Sequence, residues 1–302
     1  MLLRDIERYL SFRRELGFSL RGDEYLLKSF ARFAAHRGDS HVRRNTALDW
    51  AAQAPSPGQR DRRLRRVILF ARHVRAEDPA HELPASCRFS LGRRPYLPHI
   101  FTPREVHDLL RAASRLGPRG SLRPHTYYTI FGLLAATGLR VSEALALRLD
   151  DVTDDGLMVR NTKFHKSRLV PLHPTAARAV GRYIHRRRRF ACTDNHLFVS
   201  LRCRAVLYAD VNRVFLQILR RLGLRGDPGR PGPRVHDLRH TMAVRALEAF
   251  RSTSGVGPHM RALSTYLGHS RVSTNFRYIH ATPRLMGHIA TACEAYLEDG
   301  AS

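Results

Sequence analysis

The chain has 302 residues, of which 43% are hydrophobic, enough apolar material for the cores of two domains. No apolar run approaches the roughly 20 residues needed to span a bilayer, and the acidic residues near the start do not fit a signal peptide. Lysine and arginine total 52 against 26 acidic residues, so the formal net charge is +26. Such a charge attracts polyanions, above all nucleic acid, although an RNA-binding or membrane-surface protein would also satisfy it.

Residues 1–91 predict an all-helical unit, because apolar side chains recur at helical spacing. A break at residues 55–58 precedes a helix that follows Asp61. Five arginines cluster near the start of that helix: Arg60, Arg62, Arg63, Arg65 and Arg66. Such a run is often only a solvated charged face. In a chain this basic we favour contacts with a DNA backbone.

Residues 92–100 read as a linker, rich in glycine, proline and arginine. A second domain, residues 101–302, then begins with Thr102 as a helix cap, Pro103 at the first helical position and Glu105 at the third. Residues 127–136 predict a mostly apolar helix that ends at Thr137-Gly138, and residues 142–147 continue helically. Extended segments at 157–160 and 168–172 predict a small antiparallel hairpin. Helices are expected again over 175–190, over 210–222 and from about His236.

The cysteines and lysines carry two further expectations. Cys87, Cys192, Cys203 and Cys293 lack CxxC spacing, so we expect neither a disulfide framework nor a zinc site, and a reducing cytoplasm. Lysine occurs only at positions 28, 163 and 166, and the other 49 basic residues are arginine. Arginine does not release its proton near neutral pH, whereas lysine can be tuned to do so. Lys163 and Lys166, three residues apart, are therefore candidates for such an acid, although a lysine here can also be a phosphate contact or a solvated turn residue.

Three short segments stand far apart along the chain: residues 137–143 (TGLRVSE), 236–240 (HDLRH) and 267–269 (LGH), with Tyr278 nine residues after the last. Together with Lys163 on the expected hairpin, this order resembles the tyrosine recombinases, also called the phage integrase family. The resemblance in the catalytic part covers about residues 100–281. Residues 1–91 resemble the family's core-binding domain more loosely.

The resemblance implies a fold that is mainly α with a small antiparallel β-sheet. An N-terminal all-helical core-binding (SAM-like) domain would join a C-terminal α+β catalytic domain, and the two would clamp duplex DNA. It implies a site-specific recombinase or integrase that cleaves and rejoins DNA strands through a 3′-phosphotyrosyl intermediate. The implied catalytic residues are Arg140, Lys163, His236, Arg239, His269 and Tyr278. No metal, ATP or other cofactor is expected.

The chemistry of these residue types agrees with that assignment. Transesterification of a phosphodiester needs a nucleophile, groups that neutralise the phosphorane, and a proton for the leaving oxygen. Tyr278 can supply the first, and Arg140 and Arg239 can fork onto the non-bridging oxygens. His236 suits the base that takes the tyrosine proton, while Lys163 suits the acid.

Each residue also has a plainer interpretation. Arg140 could be a surface partner of Glu143, which in the family interpretation helps to hold the arginine. His236 and His240 are spaced like zinc ligands, but the HExxH glutamate and a third ligand are missing. His240 fits a structural histidine. Tyr278 alone would usually be a half-buried core aromatic.

Assembly and rival functions follow from the resemblance. A homodimer on double-stranded DNA, a homotetramer in the synapse and accessory recombination proteins are the expected partners, with no membrane contact and a nucleoid location in a bacterial cytoplasm. The stretch 248–259 and residues 263–266 look more similar to transposon-borne integrases than to chromosome-dimer resolvases. The helix expected after Pro283 would pack on its own domain or on a neighbouring protomer. A type IB topoisomerase and a non-catalytic DNA-binding relative are the alternatives.

Overall fold

The structure, a computed structural model, describes residues 1–18, 20–85, 89, 96–160, 167–227, 232–249 and 256–268. These residues form eleven α-helices and one three-stranded antiparallel sheet, which confirms the predicted fold class. The chain divides into two compact units, residues 1–95 and 96–302. Within the described ranges, no helix has the length and apolar character to cross a membrane.

The first unit is built from four helices around one hydrophobic core. The helices are α1 (Leu2–Glu15), α2 (Arg21–His36), α3 (Arg44–Ala52) and α4 (Pro57–Val74). Ile6, Phe30, Trp50 and Phe70, one from each helix, are fully or almost fully buried and belong to the same core cluster. Each helix therefore contributes a large side chain to one shared core, and this burial is the main source of the unit's stability.

Helix α4 begins five residues earlier than predicted, at Pro57 and not after Asp61. The Ser56 side chain accepts a hydrogen bond from the Gln59 backbone N–H, and Pro57 occupies the first helical position. A serine cap followed by proline starts a helix well, because the serine oxygen accepts from a first-turn N–H and the proline has no N–H that would need an acceptor. The proline-rich segment that looked like a break is thus the helix start.

The arginine cluster of α4 is divided between two uses. Arg60 donates to the Ala54 carbonyl at 2.8 Å, Arg63 donates to the Trp50 carbonyl and lies over its ring, and Arg66 pairs with Asp23. These three side chains tie α4 to the rest of its own unit. Arg62 and Arg65 are exposed. Of the five clustered arginines, these two therefore stay candidates for the predicted contact with a DNA backbone.

The second unit contains the remaining helices and the sheet. Its helices are α5 (Pro103–Ala113), α6 (Arg123–Thr137), α7 (Val141–Ala146), α8 (Pro174–Arg187), α9 (Tyr208–Arg221), α10 (Asp237–Glu248) and α11 (Val256–Leu267). Helix α5 starts with the predicted capping box, since Thr102 and Glu105 each accept from the other's backbone N–H. Phe131 of α6 packs edge-on against Phe215 of α9 within the core of this unit.

The sheet has one strand more than the predicted hairpin. Strands β1 (Val152–Thr153), β2 (Gly156–Val159) and β3 (Arg168–Val170) are antiparallel and lie in that order. Val159 pairs with Arg168, the register that brings Arg168 to the end of the described ladder. Strand β1 is two residues long, too short for alternation to show in the sequence.

A disulfide joins Cys192 and Cys203, contrary to the expectation of no disulfide. The two cysteines are 11 residues apart in sequence, so CxxC spacing could not reveal them. The segment between them folds back on itself: the Ser200 N–H donates to the Arg204 carbonyl, and Val199 bridges to Ala205. This reversal brings the two sulfur atoms together.

Candidate active site

Arg140 immediately precedes α7, just after the left-handed turn that ends α6. Gly138 has φ +62° and terminates α6, which turns the chain so that Arg140 begins the next helix. An added Cβ at Gly138 would lie 2.9 Å from Leu267 Cδ2 and 3.2 Å from Met242 Sδ. Both the positive φ and the close packing therefore require glycine here.

The Arg140 guanidinium is held at two points. One terminal nitrogen donates to Glu143 Oε1 at 2.6 Å, and the other donates to the Gly268 carbonyl at 3.2 Å. Glu143 also accepts from the Arg140 backbone N–H at 3.0 Å. The arginine side chain remains 34% exposed, so its free edge is accessible to a ligand.

Arg239 is held by two backbone carbonyls. It lies in the first turn of α10, is 2% exposed, and donates to the Gly138 carbonyl at 2.6 Å and to the Leu267 carbonyl at 2.7 Å. Leu267 and Gly268 therefore each accept from one of the two predicted arginines. The end of α11 fixes both guanidinium groups beside the α6–α7 turn.

His236 lies at the N-terminal end of α10, three residues before Arg239, and its ring reaches solvent. It packs edge-on against His240 with ring centroids 5.0 Å apart. Burial by the surrounding protein, together with the positive charges of His240 and Arg239, lowers the pKa of His236 to about 4. Its imidazole is neutral near pH 7, the form that accepts a proton.

Arg168 is a member of this site that sequence reasoning missed. Its guanidinium forms a forked pair with Glu143, at 2.9 Å and 3.2 Å, and donates to the Tyr266 carbonyl at 3.1 Å. Burial would raise the pKa of Glu143, but hydrogen bonds from Arg168 and Arg140 outweigh burial and hold that pKa below its ordinary value. The chain has 49 arginines, so nothing in the sequence distinguishes Arg168, at the start of a strand, as a member of the site.

Three of the six predicted site residues, Arg140, His236 and Arg239, are thus placed in one region of the second unit. Lys163, His269 and Tyr278 lie outside the described residues. In the sequence, Lys163 falls between β2 and β3, and His269 follows Gly268 directly.

Within the described ranges, His41, Asp78 and His81 bring their donor atoms within 4.8 Å of one another, as a metal site would require. The Val42 backbone N–H, however, donates to His81 Nδ1 at 3.1 Å. A neutral ring that accepts at Nδ1 carries its proton on Nε2, the nitrogen that faces Asp78. A protonated nitrogen does not ligate a metal, so these residues fit a hydrogen-bonded group in the first unit better.

Residues 99–284 match the sequence profile of the phage integrase family. The integrase/recombinase y4rB of Sinorhizobium fredii is 37% identical over 97% of this chain and 97% of its own length. The tyrosine recombinase XerD of Caulobacter vibrioides is 30% identical over 84% of this chain and 81% of its own length.

Solved structures share the fold. The Tn1549 transposon integrase, in complex with transposon right end DNA, aligns with a TM-score of 0.65 at 17% identity over 100% of this chain and 99% of that one. A lambda integrase dimer bound to a COC′ core site gives a TM-score of 0.59 at 17% identity, over 92% of this chain and 76% of that one. The chain therefore belongs to the phage integrase family and is a tyrosine recombinase, an enzyme that breaks and rejoins DNA through a phosphotyrosyl intermediate.

Proposed function

We propose that Tyr278 is the nucleophile that attacks the scissile phosphate and forms the 3′-phosphotyrosyl bond. The described part of the site has what this step needs around the phosphate: two fixed guanidinium groups and a neutral imidazole. The observation that carries the proposal is the anchoring of Arg140 and Arg239 on Gly268 and Leu267. Leu267 and Gly268 directly precede His269. The segments that contain Arg140 and Arg239 are therefore both hydrogen-bonded to the turn that leads to His269.

In this proposal Arg140 and Arg239 stabilise the negative charge that builds up on the non-bridging oxygens. Both guanidinium groups are fixed before the substrate arrives, so little reorganisation is needed during the reaction. Arginine keeps its charge at any working pH and matches phosphate geometry with paired donors. His269 adds a hydrogen bond to the same phosphate.

Proton transfer is assigned to His236 and Lys163. His236, neutral because of its lowered pKa, accepts the proton of the Tyr278 hydroxyl as the oxygen attacks phosphorus. Lys163 donates a proton to the leaving 5′ oxygen. Lysine at this position, in a chain whose other basic residues are nearly all arginine, supports the acid role. No metal is required by this set.

The substrate is duplex DNA at a defined site, and the first unit contributes backbone contacts through Arg62 and Arg65. Two protomers occupy one site and four form the synapse, with accessory proteins where the element requires them. Similarity in sequence to an integrase/recombinase and in fold to a transposon integrase supports a role in moving a mobile element. The protein would act at the nucleoid of a bacterial cytoplasm.

Covalent trapping on nicked duplexes tests this assignment. The duplexes are cut from the genomic flanks of the protein's own gene, and wild type is compared with Tyr278→Phe and with Tyr266→Phe, a control tyrosine near the site. A phosphotyrosyl adduct that is lost only in Tyr278→Phe is the expected result. An adduct that persists in Tyr278→Phe contradicts the nucleophile, and tight DNA binding without any adduct supports a non-catalytic binder.

A further inference from the structure

Arg168 joins the sheet to both fixed parts of the site. It stands at the start of β3, only 14% exposed, and its forked pair with Glu143 uses both terminal nitrogens. The Nε–H donates to the Tyr266 carbonyl at the end of α11. One side chain therefore contacts the glutamate that holds Arg140 and the helix end that holds Arg239.

Glu143 depends on Arg168 for its charge balance. Its side chain is 7% exposed and accepts from both arginines. Without Arg168, this buried carboxylate would keep only Arg140 as a cationic partner among the described residues, and would draw that guanidinium more strongly toward itself. Removing one partner of a buried ion pair is strongly destabilising, because the other charge stays buried without compensation. Arg140 needs Glu143 for orientation but must leave its exposed edge free for phosphate.

Close packing at Gly268 supports the same arrangement. Gly268 has φ +67°, and an added Cβ would lie 2.6 Å from a terminal nitrogen of Arg168. The guanidinium thus lies directly against the turn whose carbonyl accepts from Arg140. This turn and Arg168 fit each other with no space for a side chain at position 268.

We propose that Arg168 is a positioning residue for DNA cleavage, acting through Glu143 and Arg140 without touching the phosphate. The proposal rests on the proposed function, in which Arg140 stabilises the phosphorane. A displacement of the guanidinium by about 1 Å can slow a reaction roughly 100-fold. The loss should appear in the maximal cleavage rate, because DNA affinity comes from many other contacts.

The test measures single-turnover formation of the covalent adduct at increasing concentrations of a nicked duplex, with full-length protein. The variants are Arg168→Met, which removes the charge, and Arg168→Lys, which keeps the charge and protects folding but loses the fork. Arg160→Met is the matched control, because Arg160 pairs with the buried Asp151 beside the same sheet and has no hydrogen bond to Glu143. Thermal unfolding of each variant is followed in parallel.

We expect the maximal rate to fall about 100-fold in Arg168→Met and by a smaller factor in Arg168→Lys. The DNA concentration that gives half the maximal rate should change less than about 3-fold. Arg160→Met should react like wild type even where its melting temperature falls as far. In an Arg140→Lys background, Arg168→Met should slow the reaction by less than about 3-fold further, because the two changes act on one group. This non-additivity is a result that a purely structural role would not produce.

Three results would overturn the inference and leave the proposed function standing. They are a wild-type rate in Arg168→Met, a full and independent loss in the Arg140→Lys background, and a fall in rate that Arg160→Met shares in proportion to its melting temperature. Absence of adduct with the wild-type protein would instead overturn the proposed function, and the inference with it.

Discussion

The Gly138 carbonyl accepts a 2.6 Å hydrogen bond from the buried guanidinium of Arg239. The residue that ends α6 is thus also a fixed acceptor for an arginine of α10. Because Arg140 follows two residues after Gly138, the same turn controls the position of both guanidinium groups. The geometry of this turn should therefore affect folding and cleavage together.

Gly138→Ala should lower the free energy of unfolding by about 1–3 kcal/mol, since a Cβ is strained at positive φ and clashes with Leu267. Urea unfolding measures the change, and adduct formation on a nicked duplex should slow as well. Gly181→Ala is the control, because Gly181 is inside α8 with no atom near an added Cβ. That change should stabilise the protein by about 0.5–1 kcal/mol. Equal effects of the two changes would contradict the role of the turn.

Arg239→Lys should reduce the cleavage rate about 100-fold, because the ammonium group lacks the planar, forked donors that hold Arg239 in one orientation between the Gly138 and Leu267 carbonyls. Single-turnover trapping at saturating DNA measures the rate. Arg245→Lys is the matched control: Arg245 is on the same helix and donates to the Phe101 carbonyl. We expect that variant to lose some stability while keeping its cleavage rate. A comparable rate loss in both variants would argue that α10 packing alone is at stake.

The sequence indicates candidate site residues, but it does not indicate the groups that hold them in place. Arg140, His236 and Arg239 stand in recognisable boxes, and the structure places them in one region. Their anchors are the carbonyls of Gly138, Leu267 and Gly268, and any residue type supplies a carbonyl. No sequence pattern could therefore reveal these contacts.

Strand β1, Arg168 and the start of α4 are not evident from the sequence, each for a different reason. Strand β1 has two residues, fewer than a period-2 pattern needs. Arg168 has no distinguishing sequence signal in a chain with so many arginines. The predicted hairpin does place it on a strand, where it pairs with Val159. The composition around Ser56 and Pro57 predicts a break, whereas the cap chemistry of the same two residues indicates a helix start.

Cys192→Ser should destabilise the second unit only where the disulfide can form. Closing a loop of this size typically contributes about 2–4 kcal/mol by restricting the unfolded chain. Urea unfolding without reductant should show that loss relative to wild type, and added dithiothreitol should remove the difference. A loss that persists unchanged in reductant would mean that the serine disturbs packing and that the disulfide contributes nothing.

Replacing Arg62 and Arg65 by alanine should weaken DNA binding in a salt-dependent way. Each phosphate contact contributes close to one unit to the slope of log affinity against log salt concentration, so the slope should fall by about 2. Fluorescence anisotropy at several salt concentrations measures it. Arg32→Ala, an exposed arginine on α2, serves as the control. An unchanged slope in the double variant would remove this pair from the DNA interface.

The pH dependence of cleavage should report His236. Because its pKa in the folded protein is lowered from 6.5 to about 4, the neutral form predominates in the free enzyme from about pH 5 upward. The lowered pKa also makes the stability of the folded protein depend on pH. Above 6.5, the ordinary pKa of histidine in the unfolded chain, a neutral His236 costs no stability; as the pH falls from 6.5 toward 4, the unfolded chain binds the proton first and the folded state loses stability. His236→Gln should therefore lose less stability than wild type over this acidic range.

The pH dependence of cleavage should differ between the free enzyme and its DNA complex. A bound phosphate favours the protonated imidazole, so it raises the pKa of His236. The acid limb of kcat should then lie at higher pH than that of kcat/KM, which reports the free enzyme. Trapping rates at limiting and saturating DNA across the pH range measure both, with His236→Gln as the comparison. If the variant keeps the wild-type acid limb, another group accepts the tyrosine proton; if the limb disappears with a lower plateau rate, His236 is that base.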